Sequence, residues 1–258
     1  MAQIGLAGWS IHRRFYAKEV KLLDYPKLAR EEFGLDIVEL NSPFFDGTDD
    51  DYLTQLNANA AAAGVKMVHI SVDGQGNLAA LDEDERKQAV ANHAKWLEIG
   101  AKLGCGSIRG NAGGTDAAPD PEIQACVKSF KELAAIGEKL GVKFAMENHG
   151  GISRDAGPMV KVFRAVGSSW VGACPDFNNF AADIRYAALE DVAPWAVVVH
   201  AKMLEFDEAG EEKNIDIGRC IRIFEQVGYD GYYLIEYEGP TDDHEGVLKS
   251  KALLEKYL

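Results

Sequence analysis

Short apolar runs alternate along this chain with longer stretches of helical periodicity. Asp82 to Leu103 sets Ala89, Val90, Ala94, Leu97 and Ala101 along one stripe, and Pro121 to Leu140 does the same with Ile123, Val127, Phe130, Leu133 and Ile136. That spacing predicts amphipathic helices. Between such stretches, a glycine placed to cap a helix is followed by a strand-like run and then a polar residue. The unit recurs at Gly34-Leu-Asp-Ile-Val-Glu39, Gly64-Val-Lys-Met-Val-His69, Gly104-Cys-Gly-Ser-Ile-Arg109 and Gly141-Val-Lys-Phe-Ala-Met-Glu147. Later units begin at Gly167 and Gly228, and Pro194-Trp195 precedes the run that reaches His200. With the opening run from Ile4 to Gly8, about eight strands are predicted, enough to close an α/β (β/α)₈ TIM barrel. Strand–helix alternation implies parallel pairing through right-handed crossovers. An open doubly wound sheet is the alternative, but it gathers its site at one switch point. Here the candidate functional residues come from many strands.

Four runs in the second half end on side chains that bind metals: Phe-Ala-Met-Glu147, Ala-Cys-Pro-Asp176, Val-Val-Val-His200 and Leu-Ile-Glu236. In a parallel barrel, strand carboxyl ends open onto one face. Three carboxylates and an imidazole converging there would suit a hard or borderline divalent ion. The longest irregular stretches, 41–48, 73–81, 111–119, 150–158 and 204–213, also follow strand ends, so they are expected on that same face. Asp73-Gly74-Gln75-Gly76-Asn77 lacks the lysine of a phosphate-binding loop and the dinucleotide fingerprint, and reads as a turn.

A length of 258 residues suits one barrel spanning residues 1–258. The formal net charge of -14 disfavours nucleic acid, whose binding rests on basic side chains. Such a balance leaves room for a sugar and favours a bound cation. Cys105, Cys126, Cys174 and Cys220 are widely spaced and form no zinc knuckle or disulfide pattern, so they read as reduced and mostly buried. No run is long enough to span a membrane. The opening residues resemble a first strand more than a secretion signal, which makes the cytoplasm the expected location.

Each candidate also has a plain structural role open to it. Glu147 could be a salt-bridged strand-end acid, Asp176 a helix cap, and His200 a satisfied core histidine. Strand alternation turns Glu236 and Glu238 the same way, with Glu236 nearer the apolar run, and places Lys202 on the face of His200. His93 and His244 fall on predicted helices and read as surface residues.

In this order, the residues resemble the xylose-isomerase-like barrels, a family of sugar phosphate isomerases and epimerases, over nearly the whole chain. The His200-Ala201-Lys202 element, Gly228-Tyr229-Asp230-Gly231, Glu147-Asn-His-Gly-Gly151 and Ile235-Glu-Tyr-Glu-Gly239 carry the likeness. The resemblance implies that Glu147, Asp176, His200 and Glu236 bind one divalent metal, manganese or magnesium first, cobalt or zinc as alternatives. It also implies that Glu147 and Glu236 are the acid/base pair for a carbohydrate substrate, and it allows a homo-oligomer. Proton removal beside a metal-polarised carbonyl would give a cis-enediolate, and its return would give isomerisation or epimerisation. Two departures stand out: Met203 follows His-x-Lys where family members often have Asp, and Asp176-Phe177-Asn178-Asn179 replaces Asp-x-Gly-His. A three-zinc endonuclease would need more histidines than these positions supply; a metal-dependent hydrolase is a further alternative.

Several neighbours are expected to complete the pocket. Lys202 is a candidate to stabilise the enediolate oxygen. His149, Arg109, Glu39, His69, Trp9 and Asn179 are candidate substrate contacts, with Arg109 alternatively in a strand-end salt bridge. Trp9 stands with His12, Phe44 and Phe45 as either a sugar platform or rim packing. Rival readings are a lyase that dehydrates a keto-sugar or keto-inositol on the same scaffold, and a sugar-binding barrel without turnover.

Overall fold

The computed structural model describes residues 2–258. The chain lays down β1 (Gln3–Ala7), α1 (His12–Tyr16), α2 (Tyr25–Phe33), β2 (Ile37–Asn41), α3 (Asp50–Ala63), β3 (Lys66–Val72), α4 (Glu83–Lys102) and β4 (Ser107–Gly110). It continues through α5 (Asp120–Leu140), β5 (Lys143–Glu147), α6 (Ala156–Val166), β6 (Val171–Cys174), α7 (Arg185–Val192), β7 (Val199–Met203), α8 (Ile217–Gln226), β8 (Tyr232–Tyr237) and α9 (Asp243–Tyr257). The two amphipathic segments read from the sequence are α4 and α5. Asp82 caps α4 by accepting from the Asp84 and Glu85 N–H groups, and α5 ends at Gly141 with φ 72°.

All paired strands are parallel, in the order β6-β5-β4-β3-β2-β1-β8-β7. The two ends of this sheet meet along a seam of isolated bridges, Ala173 with Ala196 and Asp176 with His200. Across it, Val197 N–H donates to Ala173 O at 2.8 Å, His200 N–H to Pro175 O at 2.9 Å and Phe177 N–H to His200 O at 3.1 Å. The barrel read from the strand–helix alternation is therefore the architecture observed. Its seam runs between two of the four candidate metal-binding residues.

Most apolar residues form the cluster between sheet and helices, while Ala7, Ile37, Val68, Ala145, Cys174, Val198 and Leu234 make a separate one. This second set is the floor inside the barrel. Two residues further along their strands, on the same face, come Glu39, Glu147, Asp176, His200 and Glu236. A Cβ on Gly5 would lie 2.7 Å from Ile37 and 2.8 Å from Leu234, so at that position β1 can turn only a glycine into the floor.

Strand boundaries and one burial differ from the sequence expectations. β7 runs on past His200 to Met203, β2 past Glu39 to Asn41 and β3 past His69 to Val72. A polar residue turned into a barrel does not end a strand, because its backbone still pairs with both neighbours. His93, expected on the surface, is buried, with Nδ1 2.8 Å from Ala89 O and its ring edge-on to Phe144. Its helix face meets the barrel wall; His244 is exposed as expected. All four cysteines are buried and free. No helix among the described residues is long and apolar enough to cross a membrane.

Candidate metal centre

Glu147, Asp176, His200 and Glu236 converge, each offering an atom within 4.8 Å of the others. All four are buried. His200 Nδ1 lies 3.1 Å from Glu147 Oε1 and 3.1 Å from Glu236 Oε2. Asp176 divides its two oxygens. Oδ1 accepts from the Asn178 and Asn179 N–H groups at 2.7 and 2.9 Å, closing a turn at 177–179 rather than capping a helix, which leaves Oδ2 for the centre. Asn148, whose importance no sequence pattern signalled, pins this loop. Its Oδ1 accepts from Asp176 N–H at 2.7 Å and its Nδ2 donates to Asp176 O at 3.1 Å.

The electrostatics are those of carboxylates held together against their own repulsion. Burial pushes Glu147 up, but Arg109 and then His200 hold its carboxyl down to about 2. Burial acts against ionised Glu236 as well, yet Lys202 and His200 hold it well below its usual range. For Asp176 burial wins: it sits at about 8, with Lys202 pulling it down and Glu236 and Glu147 pushing it up. His200 rises well above its usual value despite burial, because Cys174, Glu39 and Glu236 face it. Glu147 Oε2, Asp176 Oδ2 and Glu236 Oε2 are buried without a hydrogen bond. Buried unsatisfied carboxylate oxygens are costly. Arg109 Nε, 3.0 Å away, takes Glu147 Oε2, so Glu147 Oε1, Asp176 Oδ2 and Glu236 Oε2 are left beside the imidazole nitrogen. That set fits a divalent cation, with oxygen ligands favouring a hard ion and the nitrogen admitting a borderline one.

Lys202 stands at the edge of the cluster, its Nζ 3.4 Å from Asp176 Oδ2, 3.7 Å from Glu236 Oε1, 3.5 Å from Glu238 Oε1 and 3.1 Å from Asn179 Oδ1. Asn179 also reaches Glu147 Oε1 through Nδ2 at 3.4 Å. His149 is exposed beside Glu147, its backbone N–H tied to Ser153 Oγ at 3.1 Å. Half-buried Trp9 stacks on His12 at 5.0 Å and on Phe44 at 5.8 Å, so rim packing accounts for two of its contacts.

Three residues expected against substrate are buried in contact with the protein's own side chains. The Arg109 guanidinium is buried between Glu147, with Nε 3.0 Å from Oε2, and Asp73, with Nη1 2.5 Å from Oδ1. Its charge is spent on the protein's own carboxylates, the salt-bridge alternative. Glu39 and His69 are 0% exposed. Glu39 Oε2 is 2.8 Å from His200 Nε2, and His69 Nδ1 shares a 2.7 Å hydrogen bond with Ser107 Oγ. Glu39 is enclosed on the Nε2 side of the His200 ring, and the His69 ring stands edge-on to that ring at 6.3 Å. A cavity of about 580 Å³ opens at the other end of the barrel between Val65, Ser107, Val197 and Tyr232, away from this chemistry.

Comparison with known proteins agrees with this fold. Short segments match the alpha subunits of a 3'-dehydrocarminate deglycosidase of a Microbacterium species, 41% identical over 56 residues, and of the Arthrobacter globiformis C-glycoside deglycosidase, 45% over 49 residues. These matches span 20% and 19% of this chain but only 16% and 14% of those proteins. Structural likeness runs the full length. A D-psicose 3-epimerase superposes with TM-score 0.78 at 16% identity, covering 99% of each chain. The Escherichia coli 3-keto-D-glucoside 4-epimerase does so with TM-score 0.76 at 16% identity, covering 99% of this chain and 100% of that one. The zinc-binding IolI protein gives 0.78 at 16% identity over 99% of both. At such identities the likeness establishes the fold. The family model of the xylose isomerase-like TIM barrel matches residues 27–257, and the chain belongs to that family.

Proposed function

We propose that this protein is a divalent-metal-dependent epimerase or isomerase of a sugar or sugar-like hydroxy-ketone, working by proton transfer through a cis-enediolate. The observation that carries the reading is the pair Glu147 and Glu236, each 3.1 Å from the same His200 nitrogen, with Asp176 completing the set. Manganese or magnesium is the preferred ion, and a bound zinc in a structural neighbour keeps zinc in view. Bound there, the ion would act as a Lewis acid that acidifies the C–H beside a chelated carbonyl.

The chain's own residues supply the rest. One carboxylate oxygen of Glu147 or Glu236 takes the proton and the other residue returns one. Return to the opposite face of the same carbon gives epimerisation, and return to the neighbouring carbon gives isomerisation. Lys202 Nζ, held at the rim by Asp176, Glu236 and Glu238, offers a cation to the enediolate oxygen. Exposed His149 and half-buried Asn179 and Trp9 would meet hydroxyl groups and a sugar face. The names of the structural neighbours support a carbohydrate ligand, since they include a psicose epimerase with fructose present and a keto-glucoside epimerase. One barrel acting on a small molecule in the reducing cytoplasm, as a homo-oligomer or alone, accords with four free buried cysteines.

The deglycosidase matches favour a second reading, a lyase that eliminates a β-substituent from a keto-sugar after the same proton abstraction. Heavy water with a panel of ketoses and keto-glycosides separates the two. An epimerase or isomerase places solvent deuterium on the product carbon, whereas a lyase releases water or an aglycone. Glu147→Gln and Glu236→Gln should each lower kcat by about 10²- to 10⁴-fold, the range for a lost acid or base. Turnover without deuterium incorporation or elimination, or wild-type kcat in either variant, would overturn the proposal.

A further inference from the structure

Glu39 lies across the barrel from β7, on β2, and is wholly enclosed. Its carboxylate is committed on both oxygens: Oε2 lies 2.8 Å from His200 Nε2, and Oε1 accepts from Ser71 Oγ at 2.6 Å and from Asn41 Nδ2 at 3.4 Å. The sheet is irregular at this point. Val38 pairs with Met67 but Glu39 pairs with His69, so Val68 is skipped and the register of β2 against β3 slips by one residue. The slip sets His69 opposite Glu39 and Ser71 opposite Asn41; without it Val68 and Ile70 would stand there. A local distortion, a buried acid and a buried serine thus combine on the far nitrogen of one histidine.

We infer that Glu39 is a positioning residue that receives the Nε2–H of His200 and so turns the Nδ1 lone pair toward Glu147, Asp176 and Glu236. A neutral imidazole carries one N–H, and the partner of that N–H decides which nitrogen is free to bind a metal. With Nε2–H given to Glu39, Nδ1 is the free atom, and it is the one 3.1 Å from both Glu147 and Glu236. Ser71 and Asn41 keep the Glu39 carboxylate from rotating away. His69, hydrogen-bonded to Ser107, leaves Nε2 without a partner and does not compete for this acid. Glu39 therefore touches neither substrate nor ion and acts through His200.

The inference rests on the metal-centre reading, and the experiment separates the two. Wild-type protein stripped and reloaded with Zn²⁺ alone, labelled with ¹⁵N-histidine, should bind one equivalent and show His200 protonated on Nε2 and metallated on Nδ1. Glu39→Gln should weaken Zn²⁺ and Co²⁺ binding about 10- to 100-fold, the usual effect of losing such a partner, and change the visible spectrum of the Co²⁺ form. Ser71→Ala, which removes one hydroxyl, should shift affinity in the same direction by less. Failure of the wild type to bind one equivalent sinks the metal centre itself. Binding with His200 protonated on Nδ1, or with Glu39→Gln unchanged in affinity and Co²⁺ spectrum, overturns only the role of Glu39. If Glu39→Gln does not fold, the wild-type nitrogen assignment decides alone.

Discussion

Replacing Arg109 with methionine keeps the bulk of the side chain and removes a cation that is buried between two acids. In the native protein its Nε lies 3.0 Å from Glu147 Oε2 and its Nη1 2.5 Å from Asp73 Oδ1, with the guanidinium only 6% exposed. Breaking a buried pair by removing one partner costs about 3 to 5 kcal/mol, because the remaining charge is left uncompensated. For a chain of this size that is a fall in Tm of about 10 °C. The pH dependence has a definite sign. Burial would raise Glu147, but Arg109 and His200 hold it below its ordinary value of 4.5, at about 2, so the native state binds fewer protons than the unfolded one. The resulting stability is full above the unfolded value and is lost as pH falls toward 2. Denaturant unfolding in the presence of a chelator should show the deficit of R109M complete at pH 7 and narrowing below pH 4.5. Saturating metal should also narrow it, since a dication replaces the lost charge beside Glu147. A stability change under about 1 kcal/mol at pH 7, together with a raised KM, would show that Arg109 binds substrate instead.

Chelation should destabilise the loaded protein: a ligand free at one hundred times its Kd contributes about 2.7 kcal/mol, read as a lowered Tm in EDTA that added Mn²⁺ restores. In the metal-free protein Asp176, at about 8, holds a proton at pH 7 and His200 is raised well above its usual value, so metal binding should release protons and weaken as pH falls. Calorimetry in buffers of different ionisation enthalpy would show the release, and its absence would count against this cluster as the ligand set. On the surface, the Arg14 hydrogen bond holds Glu32 below its ordinary range. That pair contributes above the unfolded pKa of Glu32 and is lost as pH falls through the lowered one. Arg14→Gln should cost about 0.5 kcal/mol at pH 7, after discounting for solvent screening, and nothing measurable at pH 2. An equal deficit at both pH values would assign the effect to packing.

The sequence by itself determined the barrel and the four converging residues. Helical periodicity, capping glycines and apolar runs are local signals, and the i, i+2 alternation of Ala145 with Glu147, Cys174 with Asp176, Val198 with His200 and Leu234 with Glu236 follows from the strand period alone. Where those strands end was less legible, because β7 and β8 keep pairing past His200 and Glu236 while the period of two simply continues. Charge partners were beyond the sequence. Arg109 reads equally as a substrate anchor or an ion pair until Glu147 and Asp73, 38 and 36 residues away along the chain, are brought beside it. Asn148 likewise matters only because β6 places the Asp176 backbone within its reach. Glu39 and His200 stand 161 residues apart, and only closure of the barrel brings that acid to the back of that imidazole, while the one-residue slip at Val68 sets His69 opposite it. Local chemistry is written in the chain, but which nitrogen of His200 faces the centre depends on contacts across the barrel, which only the tertiary structure decides.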